Sequence, residues 1–110
     1  MIRAAPLVAL LVALSLFLVL PAGAAEPDAA RKAELSYFLT QDCGSCHGLK
    51  LTGGLGKPLT PDALSGFTDT DLLTTILNGR PGTAMPPWRG VINEDDARYI
   101  IRLLREGKQP

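Results

Sequence analysis

Two cysteines three positions apart, with a histidine directly after the second, constrain this chain more than any other feature: Cys43-Gly44-Ser45-Cys46-His47. The C-x-x-C-H pattern reads as covalent attachment of one c-type haem. Two thiols at that spacing can add across the two vinyl groups of a single porphyrin. The adjacent histidine then falls under the iron and ligates it axially. Gly44 and Ser45 are small, so the chain can pass close to the ring edge. A structural zinc site, a thioredoxin-like redox pair and a structural disulfide are the competing readings. Zinc usually takes four Cys or His ligands, and the chain holds two cysteines and one histidine in all. A thioredoxin-like pair needs a βαβ setting, and no strand pattern flanks the motif. A disulfide is compatible with export but leaves His47 without a purpose.

The N-terminus points to export. Met1 to Arg3 form a short basic lead, and Leu7–Leu20 is an apolar run of 14 residues broken only by Ser15. Pro21-Ala22-Gly23-Ala24-Ala25 supplies small residues at a cleavage site of the A-x-A kind. Residues 1–25 read as a signal peptide and residues 26–110 as one small monohaem domain. The alternative is an uncleaved membrane anchor, for which the apolar run is short against the roughly 20 residues of a membrane-spanning helix. Cleavage near Ala24 or Ala25 leaves no stable membrane anchor, and covalent haem on an exported chain implies the periplasm of a Gram-negative bacterium or the outer membrane face elsewhere. The full chain carries 11 Lys and Arg against 11 Asp and Glu. Loss of Arg3 leaves the mature side chains near −1, and haem propionates make that more negative. This excludes a basic nucleic-acid binder and argues against strong electrostatic steering toward a partner. A core of this size is marginal alone, and a haem supplies the missing apolar centre.

The remaining chain reads as helices and stiff loops. Asp28 can N-cap a helix running to about Gln41, with Leu35, Phe38 and Leu39 on one face. Four glycines and Pro58 make residues 48–58 a loop that must approach something closely, and the haem edge is the candidate. Its three leucines either pack on the porphyrin or form a partner-docking patch. Pro61 starts a short helix that Gly66 ends. Thr68 caps a second clear helix with Leu72, Leu73, Ile76 and Leu77 inside and Gly79 at its end. Asn93 caps the last helix, with Glu94, Asp95 and Asp96 in its first turn. Ala97, Ile100, Ile101 and Leu104 lie on its buried face, Tyr99 and Leu103 widen it, and Gly107 ends it.

The second iron ligand follows by elimination. No second histidine exists, and after signal removal Met85 is the remaining methionine. It lies 38 residues beyond His47 in a loop stiffened by Pro81, Pro86 and Pro87. His/Met ligation is an electron-transfer arrangement that raises the potential. Lys50 and Lys57 are remote alternatives, and a lone methionine can also serve as core filler. The second ring nitrogen of His47 needs an orienting carbonyl, for which Pro58 is the candidate. Trp88 either reaches a haem propionate through its indole N–H or simply packs. Arg80 either pairs with a propionate or stands solvated.

These residues resemble the class I c-type cytochromes: an N-terminal helix, C-x-x-C-H, a glycine-rich loop, a middle helix, a methionine loop and a C-terminal helix. The resemblance implies an all-α class I cytochrome c fold in which the first and last helices cross. It predicts contact of the Phe38 and Leu39 face with the region of Tyr99, Ile100 and Leu103. A narrower likeness is to the NirC-type small cytochromes. It is carried by Gln41 to Leu49, Leu51 to Gly56, Leu59-Thr60-Pro61, Gly79-Arg80-Pro81 and Met85-Pro86-Pro87-Trp88. That likeness implies electron donation to the haem-c/haem-d nitrite reductase of denitrification, or a part in maturing that reductase and its haem d; with the export signal, the expectation is a monomeric periplasmic carrier. A weak peroxidase is a third reading and requires Met85 to detach. Taken together the residues predict a one-electron carrier with one covalent haem c, held by Cys43 and Cys46, ligated by His47 and Met85, and not an enzyme.

Overall fold

The computed structural model describes residue 23 and residues 25–108. The expected signal segment therefore lies outside the described residues, apart from Gly23 and Ala25. Among the described residues every regular element is helical: α1 Ala29–Phe38, a π-helical turn Leu39–Cys43, α2 Gly44–His47, α3 Pro61–Leu64, α4 Asp69–Asn78 and α5 Glu94–Glu106. The all-α expectation holds. No helix among them is long and apolar enough to cross a membrane.

Short polar side chains start these helices. Asp28 accepts from the Arg31 N–H at 2.8 Å, and Thr60 accepts from Ala63 ahead of Pro61. Thr68 with Asp71, and Asn93 with Asp96, form reciprocal capping boxes, each satisfying two N–H groups that a helix start leaves open. The first helix departs from expectation at its other end. The helical path does not stop near Gln41 but runs on through His47. Thr40 Oγ1 donates to the Ser36 carbonyl at 3.1 Å, a back-bond that bends helices. The Gly44 N–H then reaches five residues back to Leu39. The widened turn absorbs the bend, and Gly48 at φ +89° ends the run.

One apolar core joins α1, α4 and α5 through Leu35, Leu39, Leu73, Leu77, Ala97, Ile100, Ile101 and Leu104. Helices α4 and α5 share the most extensive contact, α3 packs beneath α5, and α1 meets α5 as predicted. A polar anchor that the apolar pattern did not announce fixes this last crossing. Arg31 of α1 forms a two-pronged pair with Asp96 of α5, at 3.2 Å to Oδ1 and 2.7 Å to Oδ2, although Asp96 is only 3% exposed. Nearby, Lys32 and Arg102 both lie over the Tyr99 ring.

Candidate haem site

Cys43 in the π turn and Cys46 in α2 stand three positions apart on one helical path, hence on the same side one turn apart. Both are free thiols, Cys43 half-buried and Cys46 exposed. Burial pushes the Cys43 thiol up to about 11, and the Asp42 carboxylate adds to the effect. The βαβ setting that a thioredoxin-like pair needs is missing among the described residues, where every regular element is helical. The zinc reading also loses ground: among the described residues no three His, Cys, Asp or Glu side chains gather around a common point that could hold a metal ion.

The loop after His47 folds back on the motif. Gly53 N–H donates to the His47 carbonyl and Gly56 N–H to the Cys46 carbonyl, both at 2.8 Å. A methyl group on Gly54 would stand 2.7 Å from the Cys46 carbonyl oxygen, and one on Gly56 would stand 2.7 Å from the His47 ring. The close approach demanded by the glycines is thus an approach to the Cys-x-x-Cys-His backbone and imidazole. The expected partner at that point was the haem edge. Of the three loop leucines, Leu51 is buried in the core at a left-handed φ of +56°, while Leu49 and Leu55 are exposed.

His47 Nδ1 lies 2.7 Å from the carbonyl oxygen of Lys57. This corrects the expectation that Pro58 supplies the acceptor. With Gly56 laid against the ring, the next carbonyl to arrive is that of Lys57, while the Pro58 ring lies beside Gly53. Nδ1–H donating to this carbonyl leaves Nε2 with its lone pair available to a metal, the usual arrangement for a ligating imidazole.

Met85 is half-buried in the loop between α4 and α5. Its carbonyl accepts from the Arg80 N–H at 3.2 Å, and its own N–H donates to Thr83 Oγ1 at 3.3 Å. The Trp88 ring meets Phe38 edge-on, with centroids 5.0 Å apart and planes at 87°. This contact ties the Met85 loop to the helix that leads into the cysteine motif. Arg80 is exposed. The Lys57 carbonyl, Gly56 and the Trp88–Phe38 contact were not identified as parts of the site from sequence. The glycine spacing was the available signal for the second. A concavity of about 410 Å³ elsewhere is lined by Asp69, Arg98, Ile101, Arg102, Arg105 and Glu106. Its guanidinium groups already pair with Glu94, Glu26 and Asp69.

The donor set suits a covalent haem: two thiols one helical turn apart, an imidazole with its second nitrogen fixed, and a soft thioether on a backbone-anchored loop. Comparison with known proteins agrees. Residues 30–104 match the family model described as cytochrome c oxidase, cbb3-type, subunit III. The chain is 57% identical over 94 residues to cytochrome c55X of Paracoccus denitrificans, covering 83% of this chain and 91% of the relative. A solved structure of the c-type cytochrome NirC is 55% identical, with a TM-score of 0.74, covering 76% of this chain and all of that one. A weaker match is to part of the dihydro-heme d1 dehydrogenase of Pseudomonas aeruginosa. It is 33% identical over 94 residues, covering 86% of this chain and 18% of the enzyme. The c-type family is one of covalent haem c carriers, and the helical fold is the class I cytochrome fold. At this identity and coverage, the chain belongs to the small c-type cytochromes of the c55X, or NirC, type.

Proposed function

We propose that the chain is a periplasmic, monomeric one-electron carrier that passes electrons to the haem-c/haem-d nitrite reductase of denitrification. In this reading Cys43 and Cys46 form the thioethers to a single haem, and His47 and Met85 supply the axial donors. When bound, the haem supplies a one-electron iron couple. The observation that best supports the reading is that both proposed axial residues are held in place, the His47 ring by the Lys57 carbonyl and the Met85 backbone by the Arg80 N–H and the Thr83 hydroxyl.

The chain's own residues divide the work. The Lys57 carbonyl accepts from His47 Nδ1–H and orients the ring, which leaves Nε2 to serve as the iron donor when haem is bound. Gly56 lies close against the imidazole, where a methyl group would stand 2.7 Å from the ring. With His47 and Met85 both bound to the iron, no position would remain for a substrate, which argues against catalysis. Leu49 and Leu55, at 68% and 96% exposure, offer apolar surface on the segment that follows the motif. That surface suits brief contact with a redox partner better than a permanent interface.

A second reading has an observation of its own. The match to part of an enzyme that acts on dihydro-heme d1 favours a role in maturing the reductase and its haem d. A deletion strain separates the two. The carrier reading predicts a fully assembled reductase that is starved of electrons and regains turnover when the purified, reduced cytochrome is added. A reductase that contains haem c but lacks a normal haem d site would instead establish the maturation role.

A further inference from the structure

The loop that carries Met85 is closed by its own backbone. Thr83 N–H donates to the Arg80 carbonyl at 3.0 Å, with Pro81 and Gly82 between them. Gly82 has φ +77°, the conformation that a type II turn asks of its third residue. Arg80 N–H returns to the Met85 carbonyl at 3.2 Å. The far end of the loop is fastened to α4: Trp88 N–H donates to Ile76 and Arg89 N–H to Leu77, at 3.1 and 3.2 Å. These are carbonyls that a helix C-terminus leaves without partners. Gly79 completes the closure at φ +68°. A methyl group there would stand 2.7 Å from the Met85 oxygen and from backbone atoms of Pro86 and Pro87.

One side chain joins the two halves of this ring. Thr83 Oγ1 donates to the Arg80 carbonyl at 2.7 Å and accepts from the Met85 N–H at 3.3 Å. Both polar backbone atoms of Met85 are therefore held, the carbonyl by Arg80 and the N–H by Thr83. Methionine is unbranched and turns about three side-chain bonds, so a fixed backbone is what restricts where its sulfur can go. Neighbouring Gly82 and Ala84 have no polar side chain that can replace the hydroxyl.

We propose that Thr83 is a positioning residue for the Met85 thioether: its hydroxyl locks the loop and keeps the sulfur from leaving the haem iron. This rests on the reading of Met85 as an axial donor. The lock belongs to the loop itself and is assembled by the chain's own hydrogen bonds.

The test uses the haem-loaded mature protein as wild type, Thr83→Val, Thr83→Ala, Thr83→Ser and Met85→Ala. Two signals are read: the Met–Fe(III) charge-transfer band, and the rate at which the ferrous protein binds carbon monoxide. That rate follows the population with the thioether detached. Thr83→Val and Thr83→Ala each lose both hydroxyl hydrogen bonds and should bind carbon monoxide at least about fivefold faster, the factor carried by a single neutral hydrogen bond. Their band should weaken while helical circular dichroism is unchanged. Thr83→Ser keeps the hydroxyl and should stay within about twofold of wild type. The proposal is overturned if the hydroxyl-free variants match wild type while Met85→Ala binds carbon monoxide freely, or if Thr83→Ser behaves as they do. A Met85→Ala protein that keeps the band and resists carbon monoxide would instead defeat the axial assignment itself.

Discussion

At Gly56 the chain leaves no room for even one methyl group, because the His47 ring occupies the space 2.7 Å away. Gly56→Ala must move either the imidazole or the loop that carries the Lys57 carbonyl. The expected cost is about 1–3 kcal/mol of folding stability, the range for overpacking a tight contact, measured by guanidinium unfolding of the haem-loaded protein. Wild-type stability in that variant would show that the loop gives way freely. The residues of the candidate site were legible where chemistry dictates residue type and spacing, as at Cys43, Cys46 and His47. Met85 stands as the candidate second ligand because it is the methionine beyond the expected signal segment and the two cysteines are assigned to the thioethers. The Lys57 carbonyl was not legible, since any residue can offer a backbone oxygen. Which one arrives at Nδ1 depends on the Gly53 and Gly56 hydrogen bonds that wrap the loop.

At the scale of elements, the short-range signals were the readable ones. Asp28, Thr60, Thr68 and Asn93 act within three residues of themselves, and each starts a helix as its sequence neighbourhood implies. The π turn was hidden because Leu39 to Cys43 contains nothing that forbids an ordinary helix. It coincides with the Thr40 back-bond to Ser36 and with the Gly44 N–H reaching back to Leu39. The Arg31–Asp96 pair was hidden by its separation of 65 residues. That pair has a pH signature. The Arg31 guanidinium beside Asp96 holds its carboxyl below the ordinary carboxylate value. A lowered folded-state pKa contributes stability above the unfolded value of about 4 and loses it as pH falls through the folded one. The melting temperature of wild type should therefore fall between about pH 5 and pH 3 more steeply than that of Asp96→Asn. The variant should be the less stable of the two at neutral pH, with the curves converging in acid. Parallel curves would mean that the crossing of α1 and α5 does not depend on this charge.

At the scale of the whole molecule, the fold places two anchored donor segments on one small helical core. The motif helix α1–α2 and the Met85 loop after α4 meet through Phe38 and Trp88. Formal charge over the full chain balances at zero, and the cationic side chains of α5 are largely paired within the chain. Association with a redox partner should then rely on apolar contact. Its rate should change by less than about tenfold between low and high salt, because steering needs an unbalanced field. A loss of several orders of magnitude in stopped-flow electron transfer would contradict this. The central claim is that the haem iron is closed by His47 and Met85. The most direct measurement is optical and carbon monoxide titration of the purified haem-loaded protein beside Met85→Ala. The account predicts a low-spin wild type in both oxidation states that resists carbon monoxide and loses its Met–Fe(III) band on mutation. A wild type that binds carbon monoxide readily, with a mutant indistinguishable from it, would show an open iron and contradict the carrier assignment.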